Sequence, residues 1–139
     1  MNEKFYEVNS LNLKDKKYGL TPNDYYELLS TIWSKKTCAP RMQNEWNKNN
    51  ITLGQCSITA FLMQDIFGGD VYGIPLPDGN FHCFNVINDS IFDLTSAQFK
   101  DVKLDYKNAA LQKREAHFKK EEKKNRYLYL KNELLKKLK

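Results

Sequence analysis

Cys56, His82 and Asp93 are the residues of this chain whose types and spacing could do chemistry together. A thiol becomes a working nucleophile when a base takes its proton and a third group orients that base. Cys56 falls where Gly54-Gln55 gives way to the run CSITAFLMQDIF, so the sequence puts it at the start of a helix. Unpaired backbone N–H groups and the positive end of the helix dipole favour thiolate at such a position. Only two histidines exist, and His117 stands in a charged helical stretch, which leaves His82 in FHCFNVI as the base.

Register decides whether Asp93 can orient it. With Asn88-Asp89 as a two-residue turn, Ile87 faces Ser90 and Phe84 faces Asp93 on the neighbouring strand. Side chains alternate along a strand, so His82, Phe84 and Asp93 share one face, with Asp93 diagonal to His82. A three-residue turn would send Asp93 to the other face. Cys83 and Asn85 fall on the face opposite His82, and neither joins it. The three cysteines are odd in number, contain no CxxC pair and match no zinc spacing, so neither a disulfide framework nor a metal site is expected.

The elements that must position these residues are readable in part. Thr21-Pro22-Asn23-Asp24 has a capping residue, a proline at the first helical position and an acid three residues after the cap. Tyr25, Leu28, Leu29, Ile32 and Trp33 then recur at helical spacing, predicting a helix that runs to about Lys35–Lys36. Residues 37–53 read as a long loop with one helical turn near Met42–Trp46. Ile58, Phe61, Leu62 and Ile66 form the apolar stripe of the next helix, which Gly68-Gly69 ends. DVYGIPL, FHCFNVI and SIFDLT read as three antiparallel strands, with Asp78-Gly79 and Asn88-Asp89 as turn signals. From about Asn108 the chain has neither Gly nor Pro and reads as one long helix or two, with KKEEKKNR projecting into solvent.

A length of 139 residues with 13% aromatic side chains suits a single α+β domain. It divides into an N-terminal arm (1–20), a core (21–106) and a basic C-terminal helix (107–139). The net charge of +5 is uneven, because residues 107–139 carry +8 and residues 1–106 carry −3. A basic tail invites nucleic acid. Yet Glu115/Lys119 and Glu122/Arg126 are spaced to pair along a helix, so a solvated face is the preferred reading, with self-association through this helix as a further expectation. No apolar run approaches a membrane span, and the polar N-terminus lacks the apolar region of a secretory signal. The expected setting is therefore cytoplasmic and reducing.

HCFNVINDSIFDLT resembles the transglutaminase-like pattern of His-x-Trp/Phe-Asn-x-Val followed by Asp-x-Thr. The order Cys, His, Asp, with Cys opening a helix and the others on successive strands, is that of papain-like and transglutaminase-like cores. Across residues 30–130, TCAPR, NEW, TLGQCSITAFLMQDIFGGDVYGIPLPDGNFHCFNV and FDLTSAQF resemble the YunG-like family of small bacterial proteins.

The transglutaminase-like resemblance implies Cys56 as nucleophile, His82 as base and Asp93 as the orienting acid. It further implies acyl transfer or hydrolysis at an amide, isopeptide or ester carbonyl without a cofactor. Gln55 or Asn44 would join the Cys56 backbone N–H in holding the oxyanion. Ser57-Ile58 departs from the Trp that often follows such a cysteine, and Gln55 is adjacent to Cys56 instead of several residues upstream. Two rival readings stand beside this one: a non-catalytic binding or regulatory protein on the same fold, and an acidic-partner or nucleic-acid binder acting through the tail.

Overall fold

The computed structural model describes residues 4–139. Its centre is a five-stranded antiparallel sheet formed by β1 (Tyr6–Val8), β2 (Asp70–Pro75), β3 (Phe81–Ile87), β4 (Ser90–Asp93) and β5 (Ala110–Gln112), in the spatial order β1-β4-β3-β2-β5. The helices are α1 (Pro22–Ser30), α2 (Cys56–Phe67), α3 (Arg114–Phe118) and α4 (Glu121–Lys137). The chain is thus α+β, and no helix among the described residues is long and apolar enough to cross a membrane.

Helix α2 is the central piece. Its residues Ile58 to Met63 are all buried, so it is apolar around most of its circumference, as a helix covered on several sides must be. One side packs on β3 and β2 and another on α4. Tyr25 and Leu29 of α1, Phe61 and Leu62 of α2, and Leu130 and Leu134 of α4 complete this core against Val71 and Phe92 of the sheet. Asn85 of β3 is buried there too, and its amide donates to the Ala60 carbonyl at 2.8 Å.

The meander follows the sequence reading. Ile87 pairs with Ser90, Val86 with Ile91 and Asn85 with Phe92, which is the register of a two-residue Asn88-Asp89 turn. The capping box at the first helix also forms: Thr21 Oγ1 accepts from Asp24 N at 3.1 Å, and Asp24 Oδ2 accepts from Thr21 N at 2.9 Å. Gly68 ends α2 at a φ of 84°.

Several expectations need correction. Helix α1 stops at Ser30 instead of Lys35–Lys36, because hydroxyls there compete for the helix carbonyls. Ser30 Oγ bonds Tyr26 O, Thr31 Oγ1 bonds Leu28 O, and Thr37 Oγ1 accepts from Ser34 N to close a turn. Trp33 still reaches the core, where its indole donates to Thr59 Oγ1.

The region read as a C-terminal helix over 107–139 begins instead with β5. Ala110, Leu111 and Gln112 pair with Gly73, Tyr72 and Val71, so the open edge of β2 claims a segment of helical propensity. The KKEEKKNR stretch is not solvated all round either: Arg126 is buried, and it donates to Glu122 Oε2 at 2.8 Å and to the Thr37 carbonyl at 2.9 Å. Among the described residues Glu122–Arg126 forms an ion pair and Glu115–Lys119 does not. The helical turn expected near Met42–Trp46 falls earlier in the 37–53 segment, as a short 3-10 turn at Pro40–Met42 that Pro40 opens, and Arg126 ties the segment's start to α4.

Candidate active site

Cys56 is the first residue of α2, and its helix start carries no side-chain cap. Gly54 allows this entry. Its φ of 73° is left-handed, and a Cβ there would lie 2.5 Å from Cys38 Sγ and 3.0 Å from Ala39 N. The chain is therefore pressed against the 37–42 segment just before the thiol, and Ala39 N donates to Gly54 O at 3.0 Å to lock it.

His82 lies on the face of the sheet away from α2, as the register requires. Its Nε2 is 2.6 Å from Asp93 Oδ2, with both side chains fully buried. Tyr106 donates its hydroxyl to the same Asp93 oxygen at 2.7 Å. The Tyr106 ring is itself held, stacked on Tyr6 at 3.9 Å and edge-on to Phe84 at 5.0 Å. Phe99 packs edge-on against the imidazole at 4.6 Å. With Nε2 committed to Asp93, the other nitrogen, Nδ1, is buried and has no hydrogen-bond partner. Cys56 stands beside it, and the two line one cavity of about 520 Å³.

Cys56 also meets a residue from the opposite face. The Cys83 thiol neighbours the Cys56 sulfur from the α2 side, so the thiol at the sheet's rim is flanked by His82 on one face and Cys83 on the other, and Cys56 donates to the Phe81 carbonyl at 3.8 Å. The neighbouring Cys83 does most to lower the Cys56 pKa. Burial opposes it, and the neighbouring imidazole adds to the lowering, leaving the thiol well below its ordinary range. Burial resists charge on His82, yet Asp93 and then Cys56 outweigh it and push the imidazole up to about 10. Both shifts favour the thiolate–imidazolium form of the pair. Burial raises the pKa of Cys38, and Cys83 is raised by the neighbouring Cys56 and by burial. All three cysteines are free.

The model matching residues 21–139 is that of the YunG protein family. This chain belongs to the YunG family. "Uncharacterized protein YunG" of Bacillus subtilis (strain 168) is 33% identical to it over 73 residues, which are 52% of this chain and 58% of that protein. The aligned stretch thus covers less than two thirds of that relative's length. No solved structure matches the chain. The YunG-family match spans Cys56, His82 and Asp93 together with the residues around them.

The structure does not bring Gln55 or Asn44 into the cavity. Gln55 is fully buried with its amide on Ser34 O at 3.1 Å, facing away from the thiol, because its position before α2 turns it into the core. Asn44 is exposed on the 37–53 segment, outside the cavity lining. Gln98 comes close instead: it accepts from Gly54 N at 3.3 Å, donates to Thr95 O at 3.0 Å and lines the cavity.

His117, set aside in the sequence because of its charged surroundings, lines the same cavity, as does Lys123. Nothing in the sequence marked Tyr106 or Lys123, since each arrives from a segment that only the sheet edges and the break between α3 and α4 bring here. Among the described residues no group of three or more His, Cys, Asp or Glu is disposed to hold a metal ion.

Proposed function

We propose that this protein is a thiol-dependent acyl-transfer enzyme in which Cys56, His82 and Asp93 act in the manner of a papain-like or transglutaminase-like triad. One observation carries the reading: a buried imidazole bonded through Nε2 to a carboxylate has its Nδ1 unpartnered beside a thiol whose pKa is depressed. A buried ring nitrogen with no geometric hydrogen bond, standing beside a thiol of lowered pKa, fits a group kept for a reacting proton.

The Cys56 sulfur attacks the carbonyl carbon of an amide or ester, forming a C–S bond and an oxyanion. The uncapped first turn of α2 supplies the Cys56 backbone N–H for that oxyanion. Collapse breaks the C–N or C–O bond, and the leaving group takes the proton from His82 Nδ1. Water or an acceptor amine then gives a proton to the same nitrogen as it attacks the thioester carbonyl, and the C–S bond breaks to release the Cys56 thiolate. Asp93, steadied by Tyr106, keeps Nε2 protonated and the ring aimed.

The test is acylation. The protein is mixed with a panel of p-nitrophenyl esters and small amides, and intact mass is followed. The expected result is one acyl adduct on Cys56, absent from Cys56→Ala and formed at least about 100-fold more slowly in His82→Ala. Equal labelling of the Cys56→Ala protein would overturn the reading.

A further inference from the structure

The wall of the cavity opposite the 37–42 segment is built by β5, α3 and the start of α4, and its charge is positive. Arg126 is already engaged by Glu122 and the Thr37 carbonyl, and Arg41 stands 4.0 Å from Asp78. Lys123 is different. It is half-buried, lines the cavity, and has no ion pair with any acid among the described residues. Its Nζ lies 2.9 Å from His117 Nδ1.

His117 is fixed in turn: its Nε2 is 2.8 Å from Gln112 Oε1 on β5. Burial and then Lys123 push its pKa down to about 4, so at neutral pH it is uncharged and accepts from the ammonium. An ammonium has three donors, and this contact uses one. Two donors are left on a side chain that lines the cavity shared with Cys56. Burial lowers the Lys123 pKa, and negative charge on the nearby Cys83 and Cys56 sulfurs acts against that. Lys120, exposed at the same rim, adds a second positive charge.

No carboxylate among the described residues pairs with this half-buried ammonium, and a neutral histidine keeps it aimed instead of neutralising it. We propose that the cavity selects a small acyl compound bearing a carboxylate, which Lys123 holds beside the Cys56 thiol. A cavity of about 520 Å³ suits a small molecule. Lys123 is then a specificity-determining residue and His117 a positioning residue. The assignment rests on Cys56 being the reactive thiol of the acyl-transfer reading.

Two alkylating reagents of nearly equal size test it: iodoacetate, which carries a carboxylate, and iodoacetamide, which is uncharged. Their rates on the Cys56 peptide of the full chain at pH 7 are taken as a ratio and compared with the ratio for 2-mercaptoethanol. The expected ratio favours iodoacetate by roughly tenfold over the free thiol, as one partly screened charge contact would give. Lys123→Met lowers the ratio toward the free-thiol value, and Lys123→Arg keeps it. The iodoacetamide rate reports any change in thiolate content common to both reagents, and the Lys123 variants separate this charge from that of His82. A wild-type ratio at the free-thiol value, or one unmoved by Lys123→Met, overturns the carboxylate assignment alone. If Cys56 reacts with iodoacetamide no faster than in the urea-denatured chain, the acyl-transfer reading falls first and this assignment with it.

Discussion

His82 and Asp93 meet across two adjacent antiparallel strands, Nε2 2.6 Å from Oδ2, with neither side chain exposed. The contact is diagonal. Asn85 pairs with Phe92, so His82 lies past the last paired residue of β4 and leans back along the strand to reach the carboxylate. That lean is what leaves Nδ1 at the rim, beside the helix start that carries Cys56.

Asp93→Asn keeps the shape of this contact and removes its charge. The His82 pKa should fall from about 10. A histidine raised from 6.5 contributes stability that is complete below pH 6.5 and is lost as pH rises through about 10. The variant should therefore be less stable than the parent by about 3 kcal/mol at pH 6, the scale of a broken buried pair, and the gap should narrow toward pH 10. Urea denaturation at the two pH values, with NMR titration of the ring protons, measures both effects. A gap that widens with pH would contradict the raised imidazole.

Cys56 should be the first cysteine to react. Cys38 and Cys83 are buried and their pKa values are raised, whereas Cys56 is partly exposed and lowered. Iodoacetamide labelling against pH, read by peptide mass, should place the Cys56 inflection well below that of an ordinary thiol. Cys83→Ala removes the neighbour that does most to lower it, so the inflection should move up. Labelling led by Cys38 or Cys83 would point to a different nucleophile.

Gly54→Ala should damage the site by distorting the chain entry to α2. The left-handed φ of 73° and the 2.5 Å approach to Cys38 Sγ leave no room for a methyl group. The expected loss is about 1–3 kcal/mol from strain. Thermal unfolding should show it, together with a slower Cys56 alkylation. Gly79→Ala is the control, because a Cβ there meets nothing within 4 Å although φ is also positive, at 87°.

Arg126→Ala should loosen the 37–53 segment. It leaves the Thr37 carbonyl without its donor, at a cost of about 1–3 kcal/mol. Hydrogen exchange should speed up first at residues 38–43, the cavity wall. By contrast, neutralising Lys119 and Lys124, both exposed, should change stability by less than about 0.5 kcal/mol. Filter binding of DNA and RNA at two salt concentrations checks the rest of the tail. Tight, salt-sensitive retention would give this face a nucleic-acid role.

The local features were legible in the sequence because short-range chemistry sets them. Thr21-Pro22-Asn23-Asp24 carries its own capping box, Gly68 its own helix stop, and Asn88-Asp89 its own turn, and that turn alone fixes the parity that puts His82 and Asp93 on one face. Cys56 at the helix start follows from the same kind of signal.

Tertiary structure decided which distant side chains surround that core. Ala110–Gln112 became a strand because β2 had an open edge, against the helical preference of the segment. Placing β5 there brought His117 and Lys123 to the cavity, while Gln55 turned inward to Ser34. Alternation put Cys83 on the face opposite His82, yet the end of α2 sits at the sheet's rim, where a thiol can touch residues of both faces. Periodicity specifies the face a side chain takes, but not where a packed helix ends above the sheet, and that distance set the partners of Cys56.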